Sequence, residues 1–456
     1  MLFSTIFDKF SHAAPFCSMT QATLENIFSF DEIDRIFEDT AERQTTRELF
    51  FSTTVDLMCD VVFGVQPSIH AAYQGKKVQI PVSITSVYNK LNGVEPQVSS
   101  ELVQQTAARM EPIIVALGGQ REPLLEGYHV RILDGNHLAG TEHRIEELRG
   151  ISSAALPGKS LLVYDPSLGL MTHVICCEDG HAQERSMLPA VLDLVEPKDL
   201  WFGDRNFCTT GFVFGIADRG ASFLIRQHKT NLPGELVGKR RQRGRTETGT
   251  VYEQKMRIWQ GEEFLMIRRI TVELNEPTRD DETEIHLLTN IPVKAVWATR
   301  VAELYRKRWS IETAFAELTR DLCCEIKTLG YPRAALFGFS LAVVAYNIYS
   351  VSQAALRAVH GNRIDQEVSR YYQANEVRYA YGGMMIAVPQ TDWEQFRQCT
   401  AEEMAEHLAR IARNMDLSRY PKSKRGPKKK FPKQAHQKDQ PHVSTFRVLQ
   451  QTRALL

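Results

Sequence analysis

Three carboxylates stand out for the places they occupy. Asp134 comes with Gly135 at the end of "GYHVRILDGN", Asp204 lies in "LWFGDRNF", and Glu312 falls inside "LYRKRWSIETAFAELTRDL", Leu304–Leu322. The first two stretches have the composition of short strands, and the third has helical periodicity. Strand ends of an α/β sheet are where sites form. Carboxylates gathered there would suit a hard divalent cation such as Mg²⁺ or Mn²⁺. Two such ions about 3.5–4 Å apart can stabilise the attacking and leaving oxygens of a phosphodiester. Asp-Gly is also a common turn, and "GDRN" could be another.

The helix around Glu312 sharpens the question. At about 100° per residue, Tyr305 and Thr319 fall within roughly 20° of Glu312, and Arg308 lies about 40° away. Leu304, Ile311, Phe315, Leu318 and Leu322 make the adjoining apolar stripe, which must face a core. Glu312 is therefore expected at the border of that core, and Glu303 and Glu317 on the solvated side. A carboxylate at such a border needs a cation to hold it. Arg308 could serve simply as an i,i+4 partner that stabilises the helix, or as part of a site. His137 and His143, in "DGNHLAGTEHR", are near enough in sequence to approach Asp134, but local hydrogen bonding accounts for both and neither is assigned.

Composition narrows the class. The 456 residues are 43% hydrophobic and 24% charged, with zero formal net charge, as in an ordinary globular chain of two or three units. Eight cysteines include two adjacent pairs and no CxxC, which argues against a zinc ribbon or a secreted disulfide framework and fits a reducing cytoplasm. The N-terminal "MLFSTIFDKF" lacks the pattern of a signal peptide. The apolar segment Ala334–Val351 is interrupted by Ser340, Tyr346, Asn347 and Ser350, so a buried core helix is expected rather than a membrane span.

The positioning elements follow in order. Residues 20 to about 120 read as helix, with a capping box expected at Ser29 and Glu32 and a helix stop at Gly118-Gly119. "ITSVYNKLNGVEPQVSSELVQQTAARM" suits a helix-turn-helix or a plain helical hairpin. Strands at "GYHVRILDGN", "SLLVYD" and "LMTHVICCED" come next, the last two joined by the turn signal "PSLG". An amphipathic stretch, the strand bearing Asp204, a helix near "TTGFVFGIA" and the strand "SFLIRQ" complete a mixed α/β pattern. From about His228 to Pro292 the pattern is β-rich, opening on "GKRRQRGR", which reads as basic and flexible. Trp259, in "MRIWQG", suits packing on a sheet or stacking on a base. Arg419–Lys438 holds nine Lys or Arg and no acid, which suits a solvated tail or a polyanion-binding segment.

Taken together, "ILDGNHLAGTEHR", "LWFGDRNF" and "YRKRWSIETAFAEL" resemble a DDE transposase of the bacterial insertion-sequence-4 family. The last carries the family's Tyr-x2-Arg-x3-Glu signature, and the likeness runs from about Tyr128 through Val351, resuming in "RGPKKK" and "QPHVSTFRVL". The resemblance implies an α/β fold with an RNase H-like catalytic core interrupted by a β-rich insertion, flanked by helical N-terminal and C-terminal regions. The expected divisions are 1–125, a helical region for DNA-end recognition; 126–227 and 296–360, the two parts of the core; 228–295, the insertion; and 361–456, helices with a basic tail.

The same resemblance implies that Asp134, Asp204 and Glu312 are catalytic and ligate two Mg²⁺ ions, with Mn²⁺ able to substitute. It implies DNA contacts from Tyr305 and Arg308, with Arg320, Trp259, Lys424, Arg425, Lys428, Lys429 and Lys430 as further candidates. The expected partners are double-stranded DNA, as element ends and as target, and a second copy of the chain around paired ends, with no membrane. The setting would be the bacterial cytoplasm. One position departs from the pattern: the family places Lys or Arg seven residues after the glutamate, where this chain has Thr319. A nuclease that does not join strands, or a DNA-binding descendant without chemistry, would share many of these features.

Overall fold

The computed structural model describes residues 3–46, 48–138, 141, 145–228, 230–278, 281–326, 328–423 and 442–455. His143 and the tail residues Lys424, Arg425, Lys428, Lys429 and Lys430 lie outside the described residues. The chain opens with helices α1 (Thr5–Ala13), α2 (Pro15–Ile27), α3 (Phe30–Thr40), α4 (Phe51–Val62), α5 (Ile69–Lys76), α6 (Ile84–Gly93) and α7 (Pro96–Leu117). Then come β1 (His129–His137), β2 (Ala155–Leu156), β3 (Lys159–Asp165), β4 (Leu170–Cys177), α8 (Leu188–Leu192), β5 (Asp199–Gly203), α9 (Thr210–Asp218) and β6 (Ser222–Arg226). Four longer or later strands follow: β7 (Gly234–Thr246), β8 (Gly249–Gln260), β9 (Glu263–Leu274) and β10 (Glu284–Thr289). The remaining elements are α10 (Ala298–Arg306), α11 (Trp309–Asp321), α12 (Pro332–His360), α13 (Ile364–Glu367), α14 (Arg370–Ala387), α15 (Gln390–Glu394), α16 (Ala401–Arg413), β11 (Val443–Ser444) and α17 (Thr445–Leu455).

Among the described residues, nine strands make one sheet in the order β4-β3-β1-β5-β6-β10-β9-β8-β7. β1, β5 and β6 run parallel, and every other pairing in it is antiparallel. Strand alternation sends Val130, Ile132, Leu200, Phe202 and Leu224 to one face, where they join a core with α7 and α12. Leu133, Trp201, Phe223 and Ile225 point to the other face, against α8 and α9. The "PSLG" turn forms as its sequence suggests. Asp165 accepts from Ser167 N and Leu168 N at 2.9 and 3.0 Å, and Gly169 takes φ +75°, a conformation that favours glycine.

Helix α12 is long and apolar enough to cross a membrane, yet 94% of its most apolar window is buried inside the protein. Its polar interruptions have structural partners. Asn347 accepts from Met171 N and donates to Met171 O, each at 2.8 Å, so it satisfies backbone groups of the edge strand β4. Helix α2 packs on α12, α14 and α16, which brings helices from both ends of the chain into one core with the inner sheet face.

Several local expectations change. Ser29 stands at the start of α3 but makes no side-chain cap, and Glu32 pairs with Arg109 instead of closing a capping box. The capping box forms elsewhere, at Thr400 and Glu403. Helix α7 packs against α12, α16 and β4 and keeps Gln97, Gln104, Ala108 and Glu111 exposed on its outer side. Strand β1 does not stop at Asp134; it continues to His137, paired with β3. "GKRRQRGR" is not a flexible link. It belongs to β7, an edge strand with register shifts after Val237 and after Gln242, and alternating glycine and exposed basic residues do not prevent pairing with β8. All eight cysteines are among the described residues and their thiols are free.

Candidate active site

Two of the three carboxylates meet through strand register. β1 and β5 run parallel with Val130 beside Leu200 and Ile132 beside Phe202. Two residues further on come Asp134 and Asp204. Asp204 is just past the end of β5, but its backbone is still extended at φ −76°, ψ 173°. Alternation therefore puts both carboxylates on the inner face, side by side. Asp134 also accepts from Gly135 N at 3.0 Å.

Glu312 arrives from a broken helix, which corrects the single helix expected over Leu304–Leu322. Lys307 N, Arg308 N, Ser310 N and Ile311 N each bond to a carbonyl three residues back, at 2.9–3.2 Å. This tightened turn separates α10 from α11 and puts Arg308 at the joint. From there Arg308 Nη1 donates to Asp134 Oδ2 at 3.1 Å, and Nη2 donates to Glu312 Oε1 at 2.7 Å. The expected burial is reversed within this pair: the Arg308 side chain is 9% exposed, whereas that of Glu312 is 53% exposed. Leu304, Ile311, Leu318 and Leu322 are buried and Phe315 is half-buried, as the apolar stripe required. Glu317 is not on a solvated face. It pairs with Arg370 of α14 at 2.9 Å and is 18% exposed.

Tyr305 sits at the end of α10 with its ring packed against the core, and its hydroxyl donates to Gly203 O at 3.4 Å. That carbonyl immediately precedes Asp204, so Tyr305 braces the loop that carries the carboxylate. Burial pushes the Tyr305 phenol well above its ordinary range. The Asp134 carboxyl is pushed up to about 6, chiefly by burial, with Asp204 and Glu312 adding and Arg308 and the Gly135 N–H opposing. Arg308 keeps its charge despite burial because acidic neighbours surround it.

The remaining candidates are spread more widely. Arg320 does not turn toward Glu312. It makes a two-pronged pair with the buried Asp321, both contacts at 2.6 Å. Thr319 is exposed and donates to Phe315 O at 2.9 Å. Trp259 lies near the end of β8, in register with Phe264 of β9, and both rings remain exposed, at 40% and 59%. The Arg257 guanidinium lies over this pair, 5.3 Å from the Phe264 ring centre and 6.0 Å from that of Trp259. His137 is exposed at the end of β1.

Two neighbours were not singled out from the sequence. Glu184 lies against Gly135, where a Cβ would stand 2.3 Å from its Oε1, and Asn206 Nδ2 donates to Glu184 Oε2 at 3.4 Å. Nothing in "ERSMLPAVLDLV" marks Glu184 as a neighbour of both aspartate-bearing segments. Trp309, directly after Arg308, is 60% exposed. A large exposed aromatic inside the quoted motif was the available signal.

The donor set of Asp134, Asp204 and Glu312 has the hard oxygen chemistry of a divalent-cation site. In this arrangement, however, a guanidinium bridges two of the three. Among the described residues, no three His, Cys, Asp or Glu side chains form a group that could hold a metal ion. The carboxylates fit a cation by type, and Arg308 is the cation they hold.

The geometry defines a carboxylate site on the inner face of a mixed sheet, just beyond the paired stretch of the two parallel strands β1 and β5. Residues 126–348 match the family model of the transposase DDE domain. That span covers β1 through most of α12 and includes Asp134, Asp204, Tyr305, Arg308 and Glu312. The match supports a DDE transposase, a class of DNA-cleaving and strand-transferring enzymes that generally use divalent metal ions. No curated protein matches the chain.

Proposed function

We propose that the chain is a cut-and-paste transposase of the insertion-sequence-4 type, acting on the ends of its own mobile element. The observation that carries the reading is the convergence of Asp134, Asp204 and Glu312 around the Arg308 joint, within the matched span. An RNase H-like core is supported by the order β4-β3-β1-β5-β6, in which three antiparallel strands are followed by two parallel ones. β10, β9, β8 and β7 would then be the insertion between the strand of Asp204 and the helix of Glu312.

Asp134, Asp204 and Glu312 would hold Mg²⁺ or Mn²⁺, as two ions. When bound, such ions supply an activated oxygen nucleophile and charge stabilisation at the scissile phosphate. The chain's own part is positioning. Tyr305 holds the Asp204 loop, and Arg308 offers a planar fork that matches a phosphate. Trp259, exposed near a hairpin tip beside Arg257, suits a base turned out of the duplex in a hairpin intermediate. The basic run Lys424–Lys430, with residues 1–125, would bind the element ends, and two copies would hold a pair of them. A DNA-binding descendant without chemistry is the second reading; it is favoured by Thr319 and by the engagement of Arg320 with Asp321.

The test is cleavage of a plasmid carrying the element's flanking ends, in Mg²⁺, by wild type and by Glu312→Ala. Cutting by wild type alone, with joining to a target plasmid, is the expected result. Equal cutting by both would remove Glu312 from the reaction. Binding of the ends without cutting by either would favour the second reading.

A further inference from the structure

Arg308 stands where it cannot stay if the carboxylates are to share a metal ion. Its fork spends one nitrogen on Asp134 and another on Glu312, and its side chain is more than nine-tenths buried. Among the described residues it is the cation in ion-pair contact with either carboxylate. Asp204 also acts on its charge. Asp204 and Glu312 act on Asp134 as like charges, and the guanidinium offsets that repulsion. The third nitrogen, Nε, is buried and makes no hydrogen bond. The planar fork that spans two carboxylates matches the oxygens of a phosphate equally well, so the same guanidinium can exchange one set of oxyanions for the other.

We propose that Arg308 is an internal counter-ion that competes with divalent metal for Asp134 and Glu312, and that a DNA phosphate relieves the competition by drawing the guanidinium away. This inference rests on the transposase reading of the site and adds a coupling to it. Metal and DNA then promote each other's binding, because both require Arg308 to release the carboxylates. The coupling is reciprocal: the factor by which DNA tightens metal equals the factor by which metal tightens DNA. A protein free of DNA would hold metal poorly and would be protected from idle metal-dependent cutting.

The experiment measures Mn²⁺ binding to the full chain by electron paramagnetic resonance, with and without a DNA duplex of arbitrary sequence. Wild type should bind Mn²⁺ weakly alone and about tenfold more tightly with DNA, within the usual range of such couplings. Arg308→Ala should bind Mn²⁺ tightly without DNA and gain little from it. Arg308→Lys keeps a charge but cannot span both carboxylates, so it should fall between the two. It also serves as the second variant if thermal melting shows that Arg308→Ala is unfolded. Should both variants bind as wild type does, or more weakly, while Asp134→Asn abolishes binding, the competition is wrong and the metal site stands. Binding that Asp134→Asn leaves unchanged would overturn both the competition and the site.

Discussion

Two arginine–carboxylate clusters flank α10, and they are built in opposite senses. At the start of the helix, Glu253 receives Arg268 Nε at 2.7 Å and Arg243 Nε at 2.8 Å, so one acid holds two bases. Arg268 Nη1 also donates to Ile291 O and Val296 O, both at 3.0 Å, which ties β9 to the segment leading into α10. At the end of the helix, one base holds two acids, and a third lies close by. The first cluster has its acid and one arginine buried and knits backbone segments together. The second leaves an excess of negative charge and a half-exposed glutamate, although each cluster keeps one buried arginine nitrogen without a partner, Arg268 Nη2 in the first and Arg308 Nε in the second. Ion pairs that serve packing give the majority charge further acceptors within the backbone, as Ile291 O and Val296 O do for Arg268. Those that serve a ligand leave charge for the ligand to meet.

This contrast makes its largest prediction in paired substitutions. Glu253→Ala strips a buried acid from two arginines and should cost about 3–5 kcal/mol of stability. Its cleavage per folded molecule should stay near wild type. Glu312→Ala should reverse the pattern: stability within about 1 kcal/mol of wild type, because its pair is half in solvent, and cleavage reduced to background. Urea unfolding and a plasmid assay measure the two sides. If Glu312→Ala proved as destabilising as Glu253→Ala, the two clusters would be the same kind of structure and the contrast would fail.

A smaller effect should appear with pH. Asp134 is pushed up to about 6 in the folded protein, from an ordinary carboxylate value near 3.9 when unfolded. Between those values the folded state binds the extra proton, so stability is lost as pH rises from about 4 to about 6, by at most about 3 kcal/mol. Asp134→Asn cannot titrate, and the stability difference between it and wild type should grow in favour of the variant over that window. Cleavage should move the other way, rising through pH about 6 as the carboxylate forms. A difference that stays flat across the window would mean that Asp134 is not held against its charge as the buried site implies.

Much of this was legible because side-chain type and strand register work over short distances. Asp134 and Asp204 each sit near a strand end, and the parallel register of β1 and β5 does the rest. The apolar stripe of α11 and the burial of α12 follow from periodicity alone. The α10–α11 break does not, because a run of i,i+3 bonds leaves no trace in the spacing of apolar residues. On an unbroken helix Arg308 is a helper of Glu312; at the joint it becomes the buried centre of the site. The glycines and charges of β7 suggest a flexible link, but an edge strand needs pairing on one side only and tolerates both. Glu184 was out of reach because its nearness to Gly135 and Asn206 depends wholly on tertiary packing.

The smallest effect concerns Thr319. It is exposed on the helix that carries Glu312, and its hydroxyl is spent on the Phe315 carbonyl. Its neighbour Arg320 is occupied by Asp321. The acid-rich cluster therefore gains no second base from this part of α11, and Thr319→Lys would supply one. If DNA runs along this face, that lysine should neutralise one phosphate and steepen the dependence of log binding constant on log salt by about 0.9. Affinity at low salt should rise, with little change in melting temperature, since Thr319 is exposed and its side-chain hydrogen bonds among the described residues are local, to Phe315 O and from Cys324 Sγ at 4.0 Å. An unchanged salt slope would mean that the DNA backbone passes α11 elsewhere, leaving the Arg308 joint as its approach to the carboxylates.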